Sequence, residues 1–440
     1  MTKHEPISKG RLSRLAKVSK VAAKIAGKHA LHVIKKPLQK KETKKKNESK
    51  HKTEIATDLF KTLASLKGSA LKAAQLISME FDFFPDEIKA ELKKSYYDVP
   101  PLNKAIVRRM IYSQLKSYPE TLFESFNLNA FRAASIGQVH ECRRLSGEKC
   151  ALKVQYPGIS ETIKSDISVL KLLLLKVPIP LIKKASKLIK TYLSELETRF
   201  YEESDYLLEK ENLIWFRSVN PFKYIKIPKI YSEHCSSKVL CMEFMAAEPI
   251  DKWISLNPTQ DKKNKIGQLI WDFFVYFLLK HNTIHADPNP GNYMIDKNIN
   301  LVVIDFGCVK KFDNGFPQQI KKVVSYHLKK DMPKVMSIYN EWNILPDHLK
   351  NDINKVENYV KGFRSWITKP FKTPTFCFKK NKNHMNERFS KEFILGREIM
   401  YNPNHNFVMF DRNLMGIMNL LNNLEAEIHF HLDVNQCNFT

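Results

Sequence analysis

The sequence is poor in residues that build several common functional sites. It has 13 glycines in 440 residues, and seven cysteines with no C-x-x-C pair among them. The cysteine spacing therefore predicts neither a zinc site nor a disulfide framework, which fits a reducing compartment. No stretch reaches the roughly 18 uncharged apolar residues of a spanning helix. The first residues also lack the apolar core of a secretory signal.

Acidic residues are in the minority, and the imbalance is uneven along the chain. The net charge is +26, and residues 1–52 alone carry 17 of the 72 basic residues against three glutamates. Such a segment predicts attraction to anionic lipid or nucleic acid. A solvated tail without a partner is the alternative, and the sequence leaves it open. Because the lysines have no interleaved aromatics and no RNA-binding motif, no specific nucleic-acid partner is predicted.

Apolar periodicity divides the chain into four segments. The predicted domains are a basic N-terminal segment, a helical extension, a strand-rich N-lobe and a helix-rich C-lobe, at 1–52, 53–117, 118–247 and 248–440. Strands are predicted within the N-lobe at 136–140, 150–156, 226–228 and 238–244. Helices are predicted there at 161–175 and 183–214. This order predicts a bilobal α+β fold of the protein-kinase type with a helical N-terminal extension.

One stretch of the C-lobe carries the pattern of a kinase catalytic loop. Asp287 and Asn292 have the Asp-x-x-x-x-Asn spacing, a short apolar strand follows at 301–304, and Asp305 then begins an Asp-Phe-Gly motif. The strand would carry Asp305 back toward Asn292. Amide and carboxylate oxygens are ligands that Mg²⁺ prefers, so the stretch predicts Mg²⁺ and ATP as cofactors, with Asp287 in the catalytic position.

The N-lobe supplies the matching nucleotide-binding pattern. Ala151 and Lys153 share one face of a predicted strand, which would place a flat wall against adenine and an ammonium group near phosphate. Glu209 is the predicted acidic partner of Lys153, although a solvated helix face is the alternative for this acid. The strand at 238–244 runs into a hinge, so Glu243 and Met245 are predicted to contact the nucleotide.

The phosphate-covering loop differs from that of conventional kinases. Where glycines let the backbone approach the phosphates, this chain has Arg132 followed by alanines and a single glycine. We expect an alanine-based loop to be stiffer and to handle the nucleotide differently. Its predicted ATP-binding residues are Ala133, Ala134, Ser135 and Gly137.

Together these motifs resemble the UbiB-type atypical kinases (the AarF/ADCK/UbiB family). The resemblance covers about residues 7–430. Its motifs are Lys72-Ala-Ala-Gln75, the alanine-rich loop running to His140, Ala151 to Gly158, Glu203-x-Asp205 with Glu209, the loop from His285 to Asn292, and Asp305-Phe-Gly. Three positions depart from the family pattern, and one of them, Asn289 in place of the second histidine of the His285 loop, touches neither the carboxylate nor the metal ligand. Ala74 replaces a glycine, and Arg132 replaces the first alanine of the loop.

The resemblance implies a role for each matched residue. Lys153 would contact the α- and β-phosphates and pair with Glu209, while Asn292 and Asp305 would bind Mg²⁺ and Asp287 would hold the catalytic-base position. Four further residues would gate the cleft where a protein kinase admits its peptide, namely Lys72, Gln75, Glu203 and Asp205. No Ala-Pro-Glu motif follows Gly307, and no Ser or Thr occurs before Ser325. Protein phosphorylation is therefore not expected.

The function implied by the resemblance is an ATP-dependent ATPase that supports ubiquinone or other isoprenoid-lipid synthesis at a membrane surface. A small-molecule or lipid kinase and a pseudokinase scaffold for quinone-synthesis enzymes are the alternatives. The expected partners are an anionic membrane, an isoprenoid lipid and quinone-biosynthesis proteins. Because the family-like segment begins near the first residue, we expect a bacterial cytoplasmic protein that binds the inner membrane peripherally.

Overall fold

The computed structural model describes residues 102–133, 136–176, 186–387 and 403–439. The predicted basic segment lies outside these residues, as does the predicted helical extension up to residue 101. The predicted gating residues Lys72 and Gln75 and the loop residues Ala134 and Ser135 lie outside them as well. The backbone of Ala133 is described, but its side chain is not.

The helices and strands are numbered along the described chain. Those of the first part are α1 Lys104–Leu115, α2 Pro119–Leu122, β1 Phe123–Phe126, β2 Arg132–Ala133, β3 Gly137–Arg144, β4 Lys149–Gln155, α3 Ile159–Lys176, α4 Ser186–Glu203, α5 Tyr206–Val219, β5 Ile225–Lys226 and β6 Val239–Glu243. Those of the second part are β7 Ala247–Pro249, α6 Ile250–Ser255, α7 Gln260–His281, β8 Thr283–His285, β9 Tyr293–Asp296, β10 Leu301–Val303, β11 Val309–Lys311, α8 Phe316–Lys329, α9 Met332–Glu341, α10 Ile353–Thr368, β12 Phe376–Cys377, α11 His384–Glu387, α12 His405–Leu424 and β13 Glu427–Ile428.

The chain forms two compact units. The first unit comprises the chain up to Leu207 together with Tyr231–Cys241. The second comprises Leu208–Ile230 and the chain from Met242 onward. The first unit contains a sheet of order β1-β3-β4-β6, with β2 paired to β3. Alternating apolar residues of β4 enter its core, because a strand points successive side chains to opposite faces.

The helix predicted at 183–214 is wrong as a continuous element, since the chain interrupts it between α4 and α5. Three hydrogen bonds hold the interruption. The Gln155 side-chain amide donates to the Ser204 carbonyl over 2.8 Å, the Tyr206 N–H donates to the Ser237 carbonyl over 3.1 Å, and Asp205 Oδ1 accepts from the Leu207 N–H over 3.0 Å. Asp205 thereby acts as the N-cap of α5, which is a stable way to begin a helix.

The second unit is built around the long helix α7, most of whose apolar residues are buried. Its four-stranded sheet has the order β5-β10-β9-β7, and a separate pair joins β8 to β11. The predicted strand at 301–304 is confirmed as Leu301–Val303, all three residues of which are buried. Helices α8, α9, α10 and α12 complete the unit, so the predicted helical character after residue 249 is confirmed.

None of the helices in the described ranges combines the length and apolarity that a membrane crossing requires. Residues 169–176, which are rich in leucine, lie in α3, and this helix ends at Lys176.

Candidate active site

The loop between β8 and β9 is anchored at both ends by backbone hydrogen bonds. β8 pairs with β11 so that His285 lies opposite Val309, and the Ala286 N–H donates to the Cys308 carbonyl over 2.9 Å. At the other end, Pro290–Asn292 form a single 3₁₀ turn that leads into β9. The loop is short and held on both sides, which suits residues that must keep a fixed position.

Asp287 and Asn292 are joined within this loop. The Asn292 amide nitrogen donates to Asp287 Oδ2 over 2.7 Å and to the Asp287 carbonyl over 3.2 Å. Both residues are half-buried. Because the amide nitrogen faces Asp287, the amide oxygen is directed away from that carboxylate. This arrangement presents one hard oxygen ligand beside an oriented carboxylate.

The backbone beside Asp305, the second predicted metal ligand, is hydrogen-bonded to Asn292, the first. The Ile304 N–H donates to the Asn292 carbonyl over 3.1 Å, so the residue before Asp305 is bonded to Asn292. Asp305 itself is half-buried, and its Oδ1 accepts from the Gly307 N–H over 3.0 Å. The described donor set is amide and carboxylate oxygen, which fits Mg²⁺ and is poorly suited to a soft metal.

His285 holds the Asp-Phe-Gly segment in place through a hydrogen bond to its backbone. Its Nε2–H donates to the Asp305 carbonyl, and its Nδ1 accepts from the Tyr293 hydroxyl over 3.3 Å. Burial lowers the pKa of His285, and the hydrogen bond to Asp305 only partly opposes this. The imidazole is therefore neutral near pH 7 and acts as a positioning residue, because both of its nitrogens are engaged.

Helix α12 supports the same loop from more than a hundred residues away. The Asn413 amide donates to the His285 carbonyl over 2.7 Å. One turn along the helix, Gly416 faces Pro288, and a Cβ added at Gly416 would lie 2.1 Å from Pro288 Cγ. The loop and the helix therefore approach more closely than any side chain at Gly416 would allow.

Helix α5 holds the middle of the Asp-Phe-Gly segment. The Asn212 amide donates to the Phe306 carbonyl over 2.9 Å. Phe306 is fully buried, and its ring packs against Phe216 and His285 with centroids 4.7 Å and 5.0 Å away. Glu209 lies one turn before Asn212 and is also fully buried. A buried carboxylate requires compensation, so its environment differs from the solvated helix face considered above.

In the first unit, Lys153 lies in the middle of β4 and is 5% exposed. Its Nζ is 4.9 Å from the centroid of the Tyr206 ring, which is a cation–π distance. Ala151 lies two residues earlier and is likewise buried. Lys153 and Glu209 belong to different units, so their pairing stays a prediction.

Gly137 is required by strand packing. It opens β3 opposite Gln155, and a Cβ at this position would lie 2.4 Å from the Val154 carbonyl oxygen and 2.9 Å from the Tyr206 hydroxyl. A backbone carbonyl cannot move aside as a flexible side chain would, so only glycine fits. The single glycine of the predicted phosphate loop thus packs directly against β4, the strand that carries Lys153.

The remaining predicted site residues lie in less enclosed surroundings. Glu203 ends α4 and is half-buried, whereas Asp205 is exposed and its carboxylate caps α5. Glu243 ends β6, and its Oε2 accepts from the Lys229 N–H over 3.1 Å. Met245 follows outside the strand, and its carbonyl accepts from the Ala247 N–H over 2.9 Å. The gating and nucleotide-contact roles of these residues stay predictions.

A family model described as the ABC1 atypical kinase-like domain matches residues 95–339, which is more than half of the chain. The chain belongs to the ABC1 atypical kinase-like family. The predicted resemblance to UbiB-type kinases and the predicted α+β kinase-like fold are both confirmed by this match.

Relatives of this ABC1 chain come from several kinds of organism. The probable serine/threonine-protein kinase abkA of Dictyostelium discoideum is 28% identical over 320 residues, which cover 69% of this chain and 55% of that protein. ACTIVITY OF BC1 COMPLEX KINASE 8, a chloroplastic protein of Arabidopsis thaliana, is 29% identical over 300 residues, covering 66% and 39%. The mitochondrial atypical kinase COQ8B of Rattus norvegicus is 26% identical over 342 residues, covering 76% and 63%. The chain thus spans less than two thirds of the length of each of these relatives.

A solved structure shares the fold. It is the complex of Rv3197 from Mycobacterium tuberculosis with erythromycin, which is 21% identical and has a TM-score of 0.62. The match covers 88% of this chain and 96% of that one. At this identity the likeness concerns the fold alone.

Three residues that support the loop from His285 to Asn292 or the Asp-Phe-Gly segment were not predicted from the sequence. Asn212 had a detectable signal, because it follows the predicted Glu209 by three residues and so shares its helix face. Asn413 and Gly416 had none, since nothing in the local sequence connects α12 to a loop so far away in the chain.

Proposed function

We propose that this ABC1 protein binds ATP with Mg²⁺ and hydrolyses it in support of isoprenoid-quinone or related lipid synthesis at a membrane surface. The observation that carries the proposal is the Asp287–Asn292 pair, which is held by two hydrogen bonds next to the backbone of the Asp-Phe-Gly segment. The family match supports a kinase-like activity. The quinone role rests on the resemblance to UbiB-type kinases.

Each residue of the site would then do what its surroundings permit. Asn292 and Asp305 would hold Mg²⁺ through oxygen atoms, and the ion would neutralise phosphate charge when bound. Asp287 would orient the attacking hydroxyl or water, because its Oδ2 is fixed by the Asn292 amide. Lys153 would contribute a buried positive charge from β4. His285 would keep the Asp305 backbone in place without exchanging a proton.

The first experiment measures ATP hydrolysis by the purified chain with and without anionic liposomes, in the presence and absence of Mg²⁺. We expect Mg²⁺-dependent turnover that Asp305→Asn reduces by at least about 100-fold, because the substitution removes a charged metal ligand. Asp251→Asn is a matched control, since Asp251 is an exposed carboxylate in the first turn of α6. Equal turnover in the wild type and Asp305→Asn would contradict the proposal.

Two alternatives are separated by further measurements. A lipid or small-molecule kinase would transfer labelled phosphate from ATP to a component of a lipid extract, whereas hydrolysis alone counts against it. A scaffold for quinone-synthesis enzymes would restore quinone levels in a deletion strain even as Lys153→Ala or Asp305→Asn. We expect neither variant to restore them, and the quinone profile of the complemented strain decides the matter.

The proposed location is the membrane periphery. The basic segment 1–52 has the charge to bind anionic lipid headgroups, at about 1 kcal/mol for each lysine or arginine near the surface. Stimulation of turnover by anionic but not neutral liposomes, lost when residues 1–52 are deleted, would support this proposal. Quinone-biosynthesis proteins remain the proposed protein partners.

A further inference from the structure

Three buried cysteines meet in the sheet of the first unit. Cys142 on β3 lies opposite Cys150 on β4, and Cys241 lies on β6, which neighbours β4. The three sulfur atoms all lie within 4.8 Å of one another, and no more than 2% of any of the three residues is exposed. The register of three strands thus gathers thiols that are separated by up to 99 positions in the sequence.

The sulfur triangle has the size of a three-coordinate metal site. With metal–sulfur bonds of about 2.3 Å, trigonal coordination requires sulfur atoms about 4.0 Å apart. The three sulfur atoms lie within 4.8 Å of one another, so small side-chain rotations would bring them to this spacing. At present Cys142 donates its S–H to the Cys150 carbonyl over 3.7 Å, and Cys150 donates to the Glu148 carbonyl over 3.4 Å. These are weak bonds that sulfur–metal bonds would replace.

The type and number of the ligands select a soft cation that accepts three-coordination. Thiolates favour Cu(I) and Zn(II), but structural Zn(II) requires a fourth ligand. In the described part of the chain, no His, Asp, Glu or further Cys joins these three within the same distance. The cluster is surrounded by apolar residues, including Leu152, Val154 and Val239, which exclude water as a fourth ligand. Three-coordinate Cu(I) is the ion that this set satisfies.

One positive charge lies on the same sheet, at Arg144, which ends β3. The Arg144 guanidinium lies 4.4 Å from the centroid of the Tyr231 ring, which fixes this charge beside the sheet.

A fourth cysteine lies next to the cluster. Cys235 is half-buried, and its sulfur accepts from the Cys241 N–H over 3.4 Å and donates to the Cys241 carbonyl over 3.7 Å. It therefore lies beside the backbone of a proposed ligand.

We propose that Cys142, Cys150 and Cys241 bind one Cu(I) ion as three thiolate ligands. Binding transfers no electrons, because the ion enters and remains as Cu(I). Each thiol that becomes a ligand releases one proton to solvent, so affinity rises with pH. The site lies in the first unit, and its occupancy stabilises the sheet that carries Lys153.

The test is an anaerobic titration of the full-length reduced protein with Cu(I), using bicinchoninate as the competing chelator and optical probe. We expect one equivalent to be withdrawn from the chelator, and the midpoint of thermal unfolding to rise as copper binds. Cys241→Ala should weaken binding by at least about 100-fold, since even outer-shell changes cost 10–100-fold. Cys377→Ala is the matched control and should bind as the wild type, because Cys377 is a half-buried cysteine in the second unit.

Copper-edge X-ray absorption of the loaded wild type decides the ligand set without any variant, even if Cys241→Ala does not fold. Three sulfur ligands and no nitrogen ligand are expected. Failure to withdraw copper from the chelator would overturn the proposal and leave the thiols as packing residues. Equal affinity in Cys241→Ala, nitrogen in the first coordination shell, or tighter binding of Zn(II) than of Cu(I) would overturn it as well.

Discussion

The contact between Gly416 of α12 and Pro288 gives a direct way to disturb the catalytic loop from a distance. In Gly416→Ala the new Cβ would lie 2.1 Å from Pro288 Cγ and 2.7 Å from Pro288 Cβ. Carbon atoms in contact lie about 3.5–4.0 Å apart, and a proline ring cannot rotate aside. The loop or the helix must therefore move by about 1 Å or more.

Two magnitudes follow from this displacement. Gly→Ala inside an exposed helix normally stabilises a protein by roughly 0.5–1 kcal/mol, but overpacking costs about 1–3 kcal/mol, so we expect net destabilisation. Pro288 directly follows Asp287, and a misplacement of about 1 Å in a catalytic group costs about 100-fold in rate. We expect ATP turnover by Gly416→Ala to fall by 10-fold to 100-fold, roughly, with nucleotide affinity changed much less.

The assay compares urea unfolding and Mg²⁺-dependent ATP turnover in five proteins, which are the wild type, Gly416→Ala, Pro288→Ala, the double variant and Asn419→Ala. Asn419→Ala is the control for helix propensity, because Asn419 is exposed on the same helix. Pro288→Ala, combined with Gly416→Ala, removes the ring carbon of closest approach and should recover part of both losses, so that the double variant is less impaired than the sum of the two single variants. The reasoning is refuted if Gly416→Ala is more stable than the wild type and turns over ATP within twofold of it.

Three further predictions concern other parts of the chain. Asn212→Leu deprives the Phe306 carbonyl of its donor and should cost about 1–3 kcal/mol in urea unfolding while lowering ATP turnover. Gly137→Ala should destabilise the protein by about 1–3 kcal/mol in the same assay, because its Cβ meets the Val154 carbonyl; wild-type stability would contradict the packing argument. Burial lowers the pKa of His327 to about 4, so the unfolded state takes up the proton first as pH falls below about 6.5. Stability should therefore decrease between about pH 6.5 and pH 4, by ~3 kcal/mol for this group, and His327→Gln should flatten that dependence in urea titrations.

The local arrangement of the predicted catalytic loop could be anticipated because its information is local. Asp287, Asn292 and Asp305 lie within 19 positions of one another, and the short hairpin of β9 and β10 between the last two brings Ile304 to Asn292, to whose carbonyl its N–H donates. A pattern of spacing and burial is sufficient for such a segment. The same holds for Lys153, whose strand alternates cleanly in the sequence.

The remainder depended on contacts between distant segments. Helical periodicity continues through Ser204 and Asp205, and the interruption becomes favourable only because Gln155 of β4 and Ser237, in the turn before β6, supply hydrogen bonds. The cysteine cluster follows from the register of β3, β4 and β6, which local spacing does not specify. Tertiary hydrogen bonds interrupted the helix against its local periodicity. Strand pairing brought the cysteines together although no local signal indicated it.

The bond from Asn413 to His285 also has a consequence for the order of events during synthesis. The two residues are 128 positions apart, so a nascent chain exposes the catalytic loop well before the helix that steadies it has left the ribosome. At 5–20 residues per second, that interval lasts about 6–25 s. During this time Pro288 lacks the surface on which it packs. A chaperone that shields the unfinished second unit would act in this window, and premature termination before residue 413 would release a protein whose loop residues are all present but unsupported.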